Sequence, residues 1–258
     1  MDLTSALFTR VKKLALNANG RDFVCGDIHG EIGLLKQLLA YLDFDQKTDR
    51  LIACGDLIDR GQASLETLKL LKQPWFHSVV GNHEQLLLSA CKSMPRMQEN
   101  WFANGGQWWL SLNEDEKAAA QALVEDNLTL VIELELADKT IGIIHADFPA
   151  DISWQQLHDK TFFDNPKNQT YCLWSRTRHR NHQIYPIKDI DYLITGHTPL
   201  SQVAKSENVI CLDTGSGYQP SLRLPHPALS LITFEAQHIS VFTCNQYFGV
   251  KQLDNITL

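Results

Sequence analysis

The chain has 258 residues, 44% of them hydrophobic and 21% charged, a globular balance long enough to bury a full core in one domain spanning 1–258. Its formal net charge of −7 disfavours extended nucleic-acid binding, which calls for a basic surface. No apolar run reaches the ~20 residues that span a bilayer, and Met1 to Lys13 lack the apolar core of a signal peptide, so no membrane partner is expected.

Taken in chain order, Asp22–Cys25 is predicted as a strand. A helical pattern follows from Glu31 to Leu42, with Ile32, Leu35, Leu38, Leu39 and Leu42 on one face. A second strand, Leu51–Cys54, precedes Leu65, Leu68 and Leu71 at helical spacing, and a third, Phe76–Val80, leads into a helix over His83–Cys91. This alternation reads as βαβ units around a partly parallel sheet. Trp101 to Asp126 is aromatic-rich and predicted to be helical, with Trp101, Phe102, Trp108 and Trp109 expected as core ahead of cleft lining. Beyond it the pattern changes to strands at Leu128–Leu136, Ile141–Ile144 (after an Asp138-Lys139 turn), Tyr192–Thr195, Val209–Leu212, Leu229–Phe234 and His238–Phe242. The expected fold is an α/β sandwich of mixed sheets flanked by helices. The cysteines, Cys25, Cys54, Cys91, Cys172, Cys211 and Cys244, form no C-x-x-C pair; Cys25, Cys54 and Cys211, in apolar strand-like runs, are expected as reduced core thiols, and a cytoplasmic setting is expected.

One pattern recurs four times: an apolar run, a glycine, then a metal-binding side chain. It occurs at Gly26-Asp27-Ile28-His29, Gly55-Asp56, Gly81-Asn82-His83-Glu84 and Gly196-His197, with a glycine-free variant at Ile144-His145-Ala146-Asp147. A glycine after a strand permits a sharp turn, and the next side chain then stands at the carboxyl edge of the sheet, where open α/β folds bind ligands. Asp27, His29, Asp56, Asn82, His145 and His197 together offer oxygen and imidazole nitrogen without thiolate. Mn, Fe or Zn suits that set better than Ca or Mg alone.

These motifs resemble those of the calcineurin-like metallophosphoesterases, and within them the phosphoprotein phosphatase branch, which includes the lambda-phage and bacterial serine/threonine protein phosphatases. The similarity runs from about Phe23 to Phe234 and takes in Pro74-Trp75-Phe76, Asn104-Gly105-Gly106, His145-Ala146-Asp147-Phe148-Pro149 and Leu212-Asp213-Thr214-Gly215. Pro199 stands where relatives outside the phosphatase branch carry a further histidine, and Asp59 stands where diadenosine tetraphosphatases tend to hold a small residue. Val80 points the other way, because protein phosphatases generally carry an arginine there that helps hold phosphate.

The resemblance implies hydrolysis of phosphoserine and phosphothreonine, with phosphotyrosine also open, on protein or peptide substrates; dinucleoside polyphosphate hydrolysis is the alternative. It implies two divalent cations, Mn²⁺ first with Fe or Zn as alternatives, and direct attack by a hydroxide bridging them. Asp27, His29 and Asp56 would hold one cation and Asp56, Asn82, His145 and His197 the other, with Asp56 bridging ions ~3.5–4 Å apart. His83 would protonate the leaving group with Asp59 orienting it. Arg60 and Arg176 would clamp phosphate, and Glu84 would support the ligands rather than act on substrate. Arg176, Arg178, Arg180 and His182 form a basic cluster that reads equally as an electropositive rim or as a solvated loop. His77, His158, His179, His226 and His238 carry no expected chemistry.

Overall fold

A computed structural model describes residues 8–92, 95–159, 161–181 and 184–257. In chain order the elements are β1 (Thr9–Leu14), β2 (Asp22–Cys25), α1 (Ile32–Tyr41), β3 (Arg50–Ala53), α2 (Ser64–Leu68), β4 (Phe76–Ser78), α3 (Asn82–Cys91), α4 (Pro95–Ala103) and α5 (Glu114–Asn127). There follow β5 (Thr129–Glu135), β6 (Thr140–Ile143), α6 (Pro166–Trp174), α7 (Thr177–Arg180), β7 (Tyr192–Thr195), β8 (Ala204–Ser206), β9 (Val209–Cys211) and β10 (Asp213–Thr214). The chain closes with β11 (Ala228–Phe234), β12 (His238–Asn245), β13 (Gly249–Gln252) and β14 (Ile256–Thr257). One sheet has the order β1-β5-β6-β7-β9-β8; the other runs β13-β12-β11-β2-β3-β4, with β10 on β11 and β14 on β12. Both are mixed: β2, β3 and β4 are parallel, as are β6, β7 and β9, while β11 and β12 are antiparallel.

Strand alternation sets the layers. Val24 and Ile52 face inward and meet Ile132, Ile143, Ile194 and Ile210 of the other sheet. Their neighbours Phe23, Cys25, Leu51 and Ala53 face outward into a second apolar cluster that includes Leu35 and Leu38 of α1. The strands are thus buried on both faces, which is why they read as continuous apolar runs. At one edge the sheets join directly. Val79 bridges Thr129 and Val80 N–H donates to the Thr129 carbonyl at 2.8 Å, so the run expected as one strand over Phe76–Val80 begins in one sheet and ends against the other.

Three features depart from the sequence reading. β1 is a strand that Arg10, Lys12 and Lys13 disguise by breaking its apolar pattern; such charges suit an edge strand, and Lys13 pairs with Glu133 at 3.1 Å across the ladder to β5. The helical stretch over Trp101–Asp126 is broken into the end of α4, a 3₁₀ segment at Gly106–Ser111 and α5, whose Asn113 and Glu116 form a reciprocal cap. The short strands β8, β13 and β14 lie outside every apolar run. All six cysteines are free.

Lys12 of β1 and His77 of β4 close the same edge, the ammonium lying 3.1 Å from the imidazole Nδ1. Burial, then the charges of Lys12 and Arg50, push His77 down to about 4 from an ordinary 6.5. The unfolded chain therefore takes up this proton first, so the contribution is complete above about pH 6.5 and is lost as pH falls towards 4. His77→Gln is expected to lose less stability than the parent between pH 7 and pH 4.5 in urea unfolding. Equal losses would refute the assignment.

Candidate metal centre

Every residue of the six-member set lies just past the carboxyl end of a strand: Asp27 and His29 after β2, Asp56 after β3, Asn82 after β4, His145 after β6 and His197 after β7. Two sheets therefore contribute to one cluster. The backbone there is strained, since His29, Asp56, Asp59, Arg60 and His197 account for five of the eight non-glycine residues with left-handed φ among the described residues. Of the four motif glycines only Gly55 needs a left-handed turn, at φ +91. Gly81 and Gly196 are required for a different reason: a Cβ would come within 2.1 Å of Asp56 Oδ1 and 1.9 Å of Asp27 Oδ1. Close approach of carboxylates at Gly81 and Gly196, and of the Leu212 carbonyl at Gly26, explains the pattern more than turn geometry does.

The donor atoms converge. His29 Nδ1–H donates to the Ile58 carbonyl at 2.8 Å and His145 Nδ1–H to the Cys54 carbonyl at 2.7 Å, which turns both Nε2 atoms toward the cluster. His145 Nε2 lies 2.9 Å and His197 Nδ1 2.8 Å from Asn82 Oδ1, and Asp56 Oδ1 is 3.4 Å from His145 Nε2. On the other side His29 Nε2 is 3.6 Å from Asp56 Oδ2 and 3.9 Å from Asp27 Oδ2. Asp56 faces both halves.

Electrostatics follow from burial of like and unlike charges. Burial would raise Asp56, but the His145, His83 and His29 charges outweigh it and hold the carboxyl well below its usual range. Burial and the neighbouring Asp213 carboxylate push Asp27 well up. Burial opposes protonation of His145, yet Asp56 and Asp27 raise it above the ordinary value, marking a point where positive charge is stabilised. Burial, then the His145 and Arg176 charges, push His197 down to about 2 and keep it a neutral imidazole. Several buried lone pairs around a negative centre fit divalent cations, whose charge would replace the proton favoured at this point.

His83 opens α3 with Nδ1 2.6 Å from Asp59 Oδ2 and Nε2 3.9 Å from Asp56 Oδ2. His29, Asp56 and His83 also form a three-residue donor cluster, so His83 stands only slightly farther from Asp56 than the expected histidine ligands do. Glu84 accepts from Asp56 N–H at 3.0 Å, Leu57 N–H at 2.8 Å and Gly81 N–H at 2.8 Å, bracing the loop as expected; burial and the Asp56 charge push it up to about 7.

Arg60 sits at the centre, its Nη1 against His29 Nε2 and its guanidinium 4.4 Å above the Tyr218 ring. The Arg176 charge is felt by His197, Asp213 and Tyr218. Arg178 belongs to neither reading of the basic cluster, because it is buried, bonds Asp147 at 3.1 Å and covers Tyr185 at 4.0 Å. Arg180 is exposed, and His182 lies outside the described residues. Val80 is fully buried in the outer core, so an arginine at this position would first have to be accommodated there.

Sequence reasoning assigned no role to Tyr218 or Asp213. The first supports Arg60; the second is buried beside Asp27, with Oδ2 unpartnered and its pKa pushed up to about 6 by burial. The Leu212–Gly215 motif was the available signal. Trp101 and Trp108, expected chiefly as core, donate indole N–H groups to Asp59. The five histidines without expected chemistry stay outside the cluster.

Gly196→Ala should displace Asp27 without removing any donor atom. Equilibrium dialysis with Mn²⁺ is expected to show at least tenfold weaker binding in a folded variant; parent-like affinity would show that the close approach is unimportant.

A family model described as calcineurin-like phosphoesterase matches residues 23–201. The chain is 40% identical to a serine/threonine-protein phosphatase 2 of Salmonella typhimurium over 202 residues, 75% of this chain and 87% of the relative. It is also 40% identical to a symmetrical bis(5'-nucleosyl)-tetraphosphatase of Pseudomonas fluorescens, but over 80 residues, 30% of this chain and 27% of the relative. A solved structure provisionally assigned as a diadenosine tetraphosphatase shares the fold at a TM-score of 0.65 and 21% identity, covering 93% of this chain and 100% of that one. With the matched region carrying every motif from Asp27 to His197, this chain belongs to the calcineurin-like phosphoesterase family.

Proposed function

We propose that the chain is a two-metal protein phosphatase acting on phosphoserine and phosphothreonine, and on phosphotyrosine as a secondary substrate. The observation that carries this reading is the His83–Asp59 pair, bonded at 2.6 Å and 3.9 Å from Asp56. A serine alkoxide is a poor leaving group and needs a proton donor, whereas a nucleotide leaves as a stable phosphate and needs little help. An oriented imidazole beside the cluster therefore supports alkyl phosphate esters. The extended similarity to a bacterial serine/threonine-protein phosphatase supports the same substrate class.

In this reading Asp27, His29 and Asp56 would hold one divalent cation and Asp56, Asn82, His145 and His197 the second, with Mn²⁺ proposed on the mixed oxygen and imidazole donors. When bound, the cations supply a water-derived nucleophile near neutral pH and offset charge on phosphate. The chain's own groups do the rest. Arg60 and Arg176 fork onto phosphate oxygens, Tyr218 supports the Arg60 guanidinium, and His83 Nε2 donates to the departing oxygen while Asp59 fixes its ring. Glu84 keeps the Asp56 loop against the start of α3. A cytoplasmic setting belongs to the same proposal, supported by six free thiols.

His83→Asn is expected to lower kcat/KM for a phosphoserine peptide by about 10²–10⁴-fold and for an aryl phosphate far less, with Mn²⁺ content retained. Equal losses would leave His83 a structural role. The partial match to a tetraphosphatase motivates a second comparison at equal Mn²⁺. Phosphoserine or phosphothreonine peptides should exceed diadenosine tetraphosphate in kcat/KM; the reverse order would replace the proposed substrate and leave the metal assignment standing.

A further inference from the structure

Asp59 accepts three side-chain donors. His83 Nδ1–H and Trp101 Nε1–H meet Oδ2 at 2.6 and 2.8 Å, and Trp108 Nε1–H meets Oδ1 at 2.7 Å. The carboxylate is fully buried, and its ion-pair partner among the described residues is His83. An indole is a donor only. The two tryptophans can thus hold both oxygens without competing as bases, and without the charge that a lysine or arginine would set against His83.

The surrounding chain is fitted to this arrangement. Gly105 has φ +110, and a Cβ there would lie 2.7 Å from Arg60 N. A Cβ on Gly106 would lie 2.5 Å from Trp101 Cε2, so the Trp101 ring rests on bare backbone. The Trp101 and Trp108 rings stand at 90° with centroids 6.2 Å apart, which directs one N–H to each side of the carboxylate. Ser64 Oγ accepts the Asp59 N–H at 2.9 Å and completes the corner. Ordinary core packing of two tryptophans requires neither glycine nor convergence on one carboxylate.

We infer that Trp101 and Trp108 are positioning residues, an indole clip that locks the Asp59 carboxylate in the plane that aims His83 at the leaving group. The inference rests on the phosphatase reading above and adds to it the device that orients the acid. Loss of one indole donor lets the carboxylate rotate, and His83 then spends less time aligned. The loss falls on substrates that need proton donation.

Trp108, half-buried, is the more tolerant position. Trp108→Phe keeps an aromatic ring and removes the donor. It is expected to lower kcat for a phosphoserine peptide about tenfold, with a much smaller loss on an aryl phosphate. Trp109→Phe removes a neighbouring indole that has no bond to Asp59 and should leave the ratio of the two rates unchanged. In a His83→Asn background, Trp108→Phe should not change that ratio further, because both act through one proton transfer. If Trp108→Phe fails to fold, 3-benzothienylalanine at position 108 keeps the bicyclic shape without the N–H and gives the same readout. An unchanged ratio in Trp108→Phe, or a change additive with His83→Asn, overturns the clip while His83→Asn itself still shows its selective loss. If His83→Asn shows no selective loss, the proton-donor reading fails, and the clip with it.

Discussion

Asp56 holds a buried negative charge between imidazoles supplied by two different sheets, and the rest of the site is arranged to keep it there. It is 2% exposed, with His29 Nε2 at 3.6 Å, His83 Nε2 at 3.9 Å and His145 Nε2 at 3.4 Å. A carboxylate so placed would ordinarily take up a proton. Surrounding it with imidazoles reverses that preference, and the charge in turn selects for positive partners. Its Oδ1 also accepts the His83 N–H at 3.0 Å, so the same side chain pins the start of α3. Charge, loop and helix are fixed by one group.

Such crowding needs rigid support. Left-handed non-glycine residues cost of order 1–3 kcal/mol each, and the cluster contains five, His29, Asp56, Asp59, Arg60 and His197. The compensation lies directly behind them, in parallel strands buried on both faces and in the apolar layer between sheets. Motif glycines remove side chains where carboxylates press on backbone, and Glu84 ties the loops after β3 and β4 with three backbone bonds. The order of these loops belongs to the scaffold.

Most of the fold and the candidate cluster was legible because both depend on local chain signals. Central strands announce themselves by apolar runs, and each candidate ligand follows such a run within a few residues. What escaped the sequence depends on partners distant in the chain. β1 has too many charges to resemble a strand until its place at a sheet edge is known. Arg178 looks like part of a basic rim until Asp147, 31 residues away, is found beside it. Trp101 and Trp108 read as core because nothing local shows that their N–H groups, 42 and 49 residues from Asp59, reach its carboxylate. The motif glycines were located correctly, but three of the four serve packing between loops rather than a turn, a distinction that no single-chain pattern contains.

The corner after β3 joins two tasks that a scheme of separate roles would keep apart. Asp59 faces His83, and Arg60, the next residue, faces His29 and Tyr218; both have left-handed backbone and both lie against the 104–108 turn. Any shift of this corner moves the Asp59 carboxylate and the Arg60 guanidinium together, so substitutions around it should couple strongly. Under the proposed roles of His83 and Arg60 the coupling has a chemical use. Proton donation helps only when phosphate is already seated, and anchoring both groups on adjacent residues makes correct seating and correct aim parts of one geometry. With Arg178 withdrawn into its pair with Asp147, the proposed phosphate clamp falls to Arg60 and Arg176 in a chain of net charge −7. At physiological salt such charges act over a Debye length of ~8 Å. They suit recognition of a single phosphate at close range, with the rest of the substrate held by contacts of other kinds.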